Sequence, residues 1–364
     1  MNERAESFEA VVAALLADPL SVAREAAGAG RCVVGYVSAE GPVELILAAN
    51  ALPVRLRGQR QSATPRADEF LESAFVPEMR AVAEQWLTGA LDCLDAVVFP
   101  RSHDSAQRLY YYLCELQRRG LCAGPRPLLF DVASIARQSS LEHTLASARL
   151  LATSLGSDES RLAQAMQRTA RREASLQRLD ALRLQSPPLA GSAAHRALRA
   201  AELDWNDSFD AALSGWLEHA PRVAARSRLL LAGSAPPDDR LHRAVEAAGG
   251  AIVREFVETE RARAAGGDLM RAFAHRHHAA RTPAQRMLDS ADWLAEQARA
   301  ARADGVVLWL IEEDEALPWE AVGQARALAD AGIPVLALTR QCWLADAAAL
   351  HALGDFVAGL ERTP

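Results

Sequence analysis

The chain has 364 residues, 40 of them basic and 47 acidic, with a formal net charge of −7; half are hydrophobic and 5% aromatic. Every basic residue is arginine, so a Walker A lysine, a Schiff-base lysine and a kinase-type lysine are all excluded. The mild acidity argues against a nucleic-acid partner, and no apolar run is long enough to predict a membrane span.

The length predicts about two domains. The first residues, Met1 to Ala17, carry acidic side chains and lack the basic-then-apolar order of a secretory signal. The run from Arg31 to Val37 predicts a buried strand after Gly30. Pro42 to Ala51 predicts a helix with proline in its first turn, and Leu52 to Leu56 a second strand. A helix from Phe75 to Leu91, a strand from Asp95 to Pro100, a helix from Ser105 to Arg119 and a strand from Pro127 to Val132 follow. Such alternation predicts a parallel sheet covered by helices. Leu141 to about Leu184 and His195 to His219 read as a helical connector, interrupted by Pro187-Pro188 and Gly191-Ser192.

A second series starts at Arg228. Strands are expected at Arg228 to Ala232, Gly250 to Val257, Gly305 to Ile311 and Gly332 to Leu338. Helices are expected up to Ala248, over Ser290 to Ala303 and over Trp319 to Ala331. The expected architecture is two doubly wound α/β domains. An N-terminal domain with leading helices spans 1–190, a helical connector 191–225 and a C-terminal domain 226–364. In such sheets ligands bind beyond the carboxyl ends of the strands, so a cleft between the domains is the expected site.

Several turns carry candidate chemistry. Ser38 to Glu44 forms a polar turn; Ser38 and Glu44 either face the cleft or cap the next helix. Arg101-Ser102-His103-Asp104-Ser105 follows a strand; His103 and Asp104 either act in acid–base chemistry or serve capping. Glu312-Glu313-Asp314-Glu315 could hold a hard cation or form a solvated acidic helix start. Gly233-Ser234 could bind an anion at a helix N-terminus, and it lacks the GxGxxG pattern. The adjacent histidines of His275-Arg276-His277-His278 point to different faces of a helix, and no cysteine or glutamate completes a zinc set there. Arg55 and Arg57 either meet phosphates or form an exposed strand-end pair. The five cysteines, at 32, 93, 114, 122 and 342, form no CxxC, which fits a reducing cytoplasm. Cys32 and Cys114 fall in apolar patterns, where cysteine acts as a small hydrophobe.

In order along the chain, Val33 to Tyr36, Pro42 to Leu56 with its Ala48-Ala49-Asn50-Ala51-Leu52-Pro53-Val54 run, Ala67 to Leu71, Leu94 to Pro100, Asp304 to Val307 and Ala331 to Leu336 form a pattern. It resembles the 2-hydroxyacyl-CoA dehydratase and benzoyl-CoA reductase family over about residues 30–340. The resemblance implies two flavodoxin-like domains and a [4Fe-4S] cluster held in the cleft by three cysteines. It also implies an activator ATPase that delivers electrons, and an acyl-CoA substrate. At the corresponding positions this chain has Val76, His103 and, within a residue or two, Glu313. Iron–sulfur clusters need soft thiolate ligands, so no family-type cluster is expected in this chain.

The expectation is therefore a cytoplasmic family subunit without cluster ligands. It would bind an acyl-CoA, or pair with a cluster-bearing relative as a hetero- or homodimer. The alternatives are a non-catalytic acyl-CoA-binding or regulatory protein, and an enzyme with a cleft repurposed around His103. Expected site residues are Ser38, Glu44, His103 and Asp104 for catalysis, and Arg55, Arg57 and Ser234 for binding. Trp86 and Tyr110 are expected to suit an interface.

Overall fold

Apolar strands separated by amphipathic helices build two four-stranded parallel sheets. The computed structural model describes residues 3–58, 63–101, 104–258, 268–280 and 292–360. Helices α1 (Glu3–Ala17) and α2 (Ser21–Gly28) lead into β1 (Val33–Tyr36), α3 (Val43–Ala48) and β2 (Leu52–Arg55). Next come α4 (Pro65–Asp68), α5 (Pro77–Leu87), β3 (Ala96–Pro100), α6 (Asp104–Arg118) and β4 (Arg126–Phe130). The sheet order is β2-β1-β3-β4. β1, β2 and β3 are buried along their whole length, because helices cover both faces and leave no solvated side to carry polar residues.

A helical segment follows: α7 (Gln138–Leu155), α8 (Glu159–Arg183), α9 (Gly191–Ala200) and α10 (Asp207–Leu217). The expected long helical stretch breaks at Gly156, which adopts the left-handed conformation that closes a helix. Asp158 then accepts a hydrogen bond from the Ser160 amide and starts α8.

The second sheet contains β5 (Ser227–Gly233), β6 (Gly250–Phe256), β7 (Gly305–Ile311) and β8 (Val335–Gln341), in the order β6-β5-β7-β8. Its helices are α11 (Arg240–Ala247), α12 (Leu269–His278), α13 (Trp293–Ala301), α14 (Leu317–Asp330) and α15 (Ala347–Leu360). Both sheets have the same winding. Each has a switch point, between β1 and β3 in one and between β5 and β7 in the other, where the connections depart in opposite directions.

The first hydrophobic core holds β1 to β4 and side chains from α7 to α10. It also takes Met270, Phe273 and Ala274 from α12, so the chain returns from the second sheet to pack on the first. In the other direction, α9 packs on α11 and β6. These crossings set the two sheets beside each other and leave a cavity between them.

Trp86 is 2% exposed and hydrogen-bonds the Ala123 carbonyl, which corrects its expected interface role. Tyr110 is half-buried against the same core. The large apolar side chains that do reach solvent include Trp319 and Val322, three residues apart on α14, at 83% and 77% exposure. Among the described residues no helix is long and apolar enough to cross a membrane.

Candidate functional site at the junction of the two sheets

The two switch points place some of the expected residues together and engage others in structure. Ser38 follows β1, is buried, and has φ 59°, in the left-handed region that non-glycine residues rarely adopt. Its hydroxyl has no hydrogen-bond partner among the described residues. Glu44 is 1% exposed on α3, with Arg276 of α12 at 3.3 Å and the Thr169 hydroxyl of α8 at 3.3 Å. Its carboxylate therefore pins three helices together below the crevice. Asp104 is exposed at the start of α6, 3.7 Å from Arg108. His103 lies outside the described residues.

At the second switch point, the Ser234 hydroxyl accepts from the Ile311 amide at 3.2 Å and donates to Asp314 at 3.0 Å. Both hydrogen-bonding roles are thus spent on joining β5 to the end of β7. Asp314 in turn accepts from the amide of Leu317, the first residue of α14, at 3.3 Å and so takes up one of that helix's free N–H groups, while Glu312 pairs with Arg340 at 2.6 Å. Most of the acidic run is therefore helix start and surface pairing, and Glu313 is half-buried beside it.

Arg55 and Arg57 are not an exposed strand-end pair. Arg55 ends β2, is 3% exposed, and contacts Glu202 after α9 and Glu258 after β6, the latter at 2.9 Å. Arg57 pairs with the same two glutamates at 2.8 and 2.9 Å, with Glu78 of α5 at 3.7 Å. The outer strands of the two sheets, β2 and β6, are thus bridged by arginine forks at their carboxyl ends. Arginine suits this position because its planar guanidinium binds carboxylates bidentately and stays charged when buried.

Burial pushes the carboxyls of Glu202 and Glu258 up, but Arg55 and Arg57 outweigh it and hold both below the ordinary 4.5. A carboxylate held down in the fold carries fewer protons there than in the unfolded chain. Its stabilisation is complete above 4.5 and is lost as pH falls through the folded value. The thermal midpoint should therefore fall progressively as the pH drops below about 4.5. Glu202→Gln should make that fall shallower. A midpoint with the same acid slope in both proteins would contradict the assignment.

Beside this cluster lies a cavity of about 670 Å³. Five arginines line it: Arg55, Arg57, Arg196, Arg199 and Arg243. His195, Asp238 and Asp239 also line it, with apolar walls from Ala13, Leu16, Ala17, Pro19, Leu203 and Pro237. Arg196 is 3.4 Å from Asp239. Among the described residues, Arg199 hydrogen-bonds only the Pro236 carbonyl and, at 3.4 Å, the His195 ring. Burial and the neighbouring Arg57 pull the Arg199 guanidinium down to about 10. Arg243 has no ion-pair partner among the described residues. Cations placed this way favour an anion in the cavity, with apolar surface left for a hydrocarbon portion.

His195 stands at the inner wall of the cavity, against His242 of α11, with ring centroids 4.7 Å apart. His242 Nε2 is 2.8 Å from Glu255 of β6, which also contacts Arg183 of α8. Burial, then His242 and Arg199, push His195 well below 6.5, so its ring is neutral. Burial pushes Glu255 up, but Arg183 and then His242 outweigh it and hold it well below 4.5. Of the described residues, these are the three whose ligand atoms converge as a metal site would require. The consecutive histidines near 277 do not share a face: His277 packs on Phe130 and Phe273, while His278 Nδ1 is 2.5 Å from the Ala133 carbonyl.

The cysteines do not suit a cubane. Cys32 and Cys93 precede β1 and β3, at the ends of the strands opposite the crevice. Cys32 is surface-accessible, not buried in apolar surroundings. Partial burial and a hydrogen bond with Asp95 push its thiol up to about 11. Cys114 lies within α6 and Cys122 just beyond it, and burial raises both. Cys342 follows β8. Val76, at the start of α5, packs on the first core and offers no ligand atom. Thiolates, not thiols, bind iron, and no three sulfurs meet among the described residues.

The sequence signal for Arg55 and Arg57 was their place at a strand end. No local signal marked Glu202, Glu258, Arg199, Arg243 or the His195–His242–Glu255 group, since these come from distant elements. A comparison with curated protein sequences finds no match. The family model of the 2-hydroxyglutaryl-CoA dehydratase D-component matches residues 39–351, which takes in β2 to β4 of the first sheet, the whole second sheet and the residues that join them. With that span and two sheets of the same winding, the chain belongs to the 2-hydroxyglutaryl-CoA dehydratase D-component family.

Proposed function

We propose that this chain is a dehydratase-family subunit that binds an acyl-CoA thioester in the arginine-lined cavity and holds no iron–sulfur cluster of its own. The observation that carries this is the cation surplus at Arg199 and Arg243, one pulled down by burial beside Arg57 and the other without an ion pair among the described residues. A CoA ester presents phosphates, which arginine forks bind well, and an apolar arm that suits the remaining wall. The family match supports the ligand class. Arg55 and Arg57 shape the cavity as members of the ionic bridge, with their charge already shared by Glu202 and Glu258. Ser234 is spent on the β5–β7 junction and is no part of the proposed contact.

Electron transfer in such a subunit falls to a cluster-bearing relative. Trp319 and Val322, exposed together on α14 beyond the second switch point, favour a partner surface there. Calorimetry with coenzyme A tests the binding. Saturable binding is expected, weakened about tenfold or more by Arg199→Gln and by Arg243→Gln. No saturation, or unchanged affinity in both variants, would sink the proposal. Iron analysis of anaerobically purified protein tests the second half: about four irons per chain would overturn it.

A further inference from the structure

We propose that His195, His242 and Glu255 form a binding site for one divalent transition-metal ion at the floor of the junction between the sheets. Each offers one ligand atom, and these atoms lie within 4.8 Å of one another. They come from α9, α11 and β6, so the set exists only in the folded chain. His242 Nε2 and Glu255 Oε1 are 2.8 Å apart as a hydrogen-bonded pair, and a shift of about half an ångström would bring them to the roughly 3–3.4 Å that neighbouring ligands span around an ion bound at about 2.1 Å.

Two imidazoles and one carboxylate suit a borderline ion of the zinc, iron(II) or cobalt(II) class. Calcium and magnesium would require oxygen donors throughout. His242 is fully buried, and its Nδ1 has no hydrogen-bond partner among the described residues. An imidazole that gives its Nε2 proton to Glu255 leaves a lone pair on Nδ1 with nothing facing it, which is costly in a buried site. An ion that takes Nε2 displaces that proton, which moves to Nδ1 or is released to solvent on binding.

The charge balance allows the ion. Glu255 now shares Arg183, and Arg183 also has Asp180 at 3.6 Å. Asp180 can keep the guanidinium when Glu255 turns toward a cation. His195 lines the cavity, so the ion has a way in from solvent. Three protein ligands leave further coordination positions open. The site is independent of the acyl-CoA proposal.

The full chain, stripped of metal with a chelator, should be titrated with Zn²⁺ against a chromophoric competitor, and with Co²⁺ followed by visible absorption. One Zn²⁺ per chain and a cobalt d–d band are expected. His195→Gln and His242→Gln should each weaken Zn²⁺ binding about a hundredfold, with folding checked by circular dichroism. His195→Gln, on the cavity wall, remains informative if the buried His242→Gln does not fold. Loss of affinity in a folded variant supports the site. Absence of stoichiometric binding to the parent chain, or parental affinity in every variant that folds, overturns it.

Discussion

Replacing Arg183 by methionine is expected to destabilise the folded chain by about 3–5 kcal/mol. Arg183 is 1% exposed at the last turn of α8, yet its guanidinium is committed on several sides. It reaches Glu255 of β6, donates to the Ile252 carbonyl at 3.0 Å, and lies 3.6 Å from Asp180. Burial pushes the Asp180 carboxyl up even with that arginine present. Methionine would fill similar volume, so packing would change little. The loss would come from two acids and a buried carbonyl deprived of their donor. Arg183→Lys should recover part of the loss, because a lysine restores the charge but not the fork. Chemical denaturation of the three proteins measures this; a methionine variant within about 1 kcal/mol of the parent would refute the assignment.

Gly233→Ala is expected to cost about 3 kcal/mol or more. Gly233 ends β5 with φ 119°, a conformation that L side chains rarely adopt. A Cβ there would lie 2.2 Å from the Trp309 carbonyl oxygen of β7, a backbone atom that cannot rotate away. The Ser234 amide bonds that same carbonyl at 2.7 Å, so relief of the clash would pull apart the second switch point. Trp309 is itself fully buried, and the disturbance would reach the core of the second sheet. Thermal unfolding of the variant checks this. Gly215→Ala, where a Cβ would meet nothing within 4 Å, is the control and should shift the midpoint little. Equal midpoints for the two variants would refute the close-approach explanation.

Gly233 also shows how a local pattern can be legible while its purpose is not. The Gly-Ser turn after an apolar strand suggested an anion site. The structure uses the glycine for close contact with β7 and the serine hydroxyl for two internal hydrogen bonds. Glu44 is a similar case. Its place after a proline suggested capping or the cleft, but α12 and α8 fold over it and place Arg276 against its carboxylate.

The sequence by itself determined the elements and their winding. Continuous apolar runs such as Val33 to Tyr36 and Gly305 to Ile311 can be stable only when covered on both faces, and intervening amphipathic helices supply the cover. It also determined that every buried cation is arginine. Tertiary structure alone decided which charges meet. Arg55 finds carboxylates 147 and 203 residues away, and His195 finds a histidine on another helix and a glutamate on another strand. Periodicity reports which face of an element is buried, because burial repeats along that element. It carries no information on which distant element will arrive at that face, since that depends on how the two sheets and the helices between them pack.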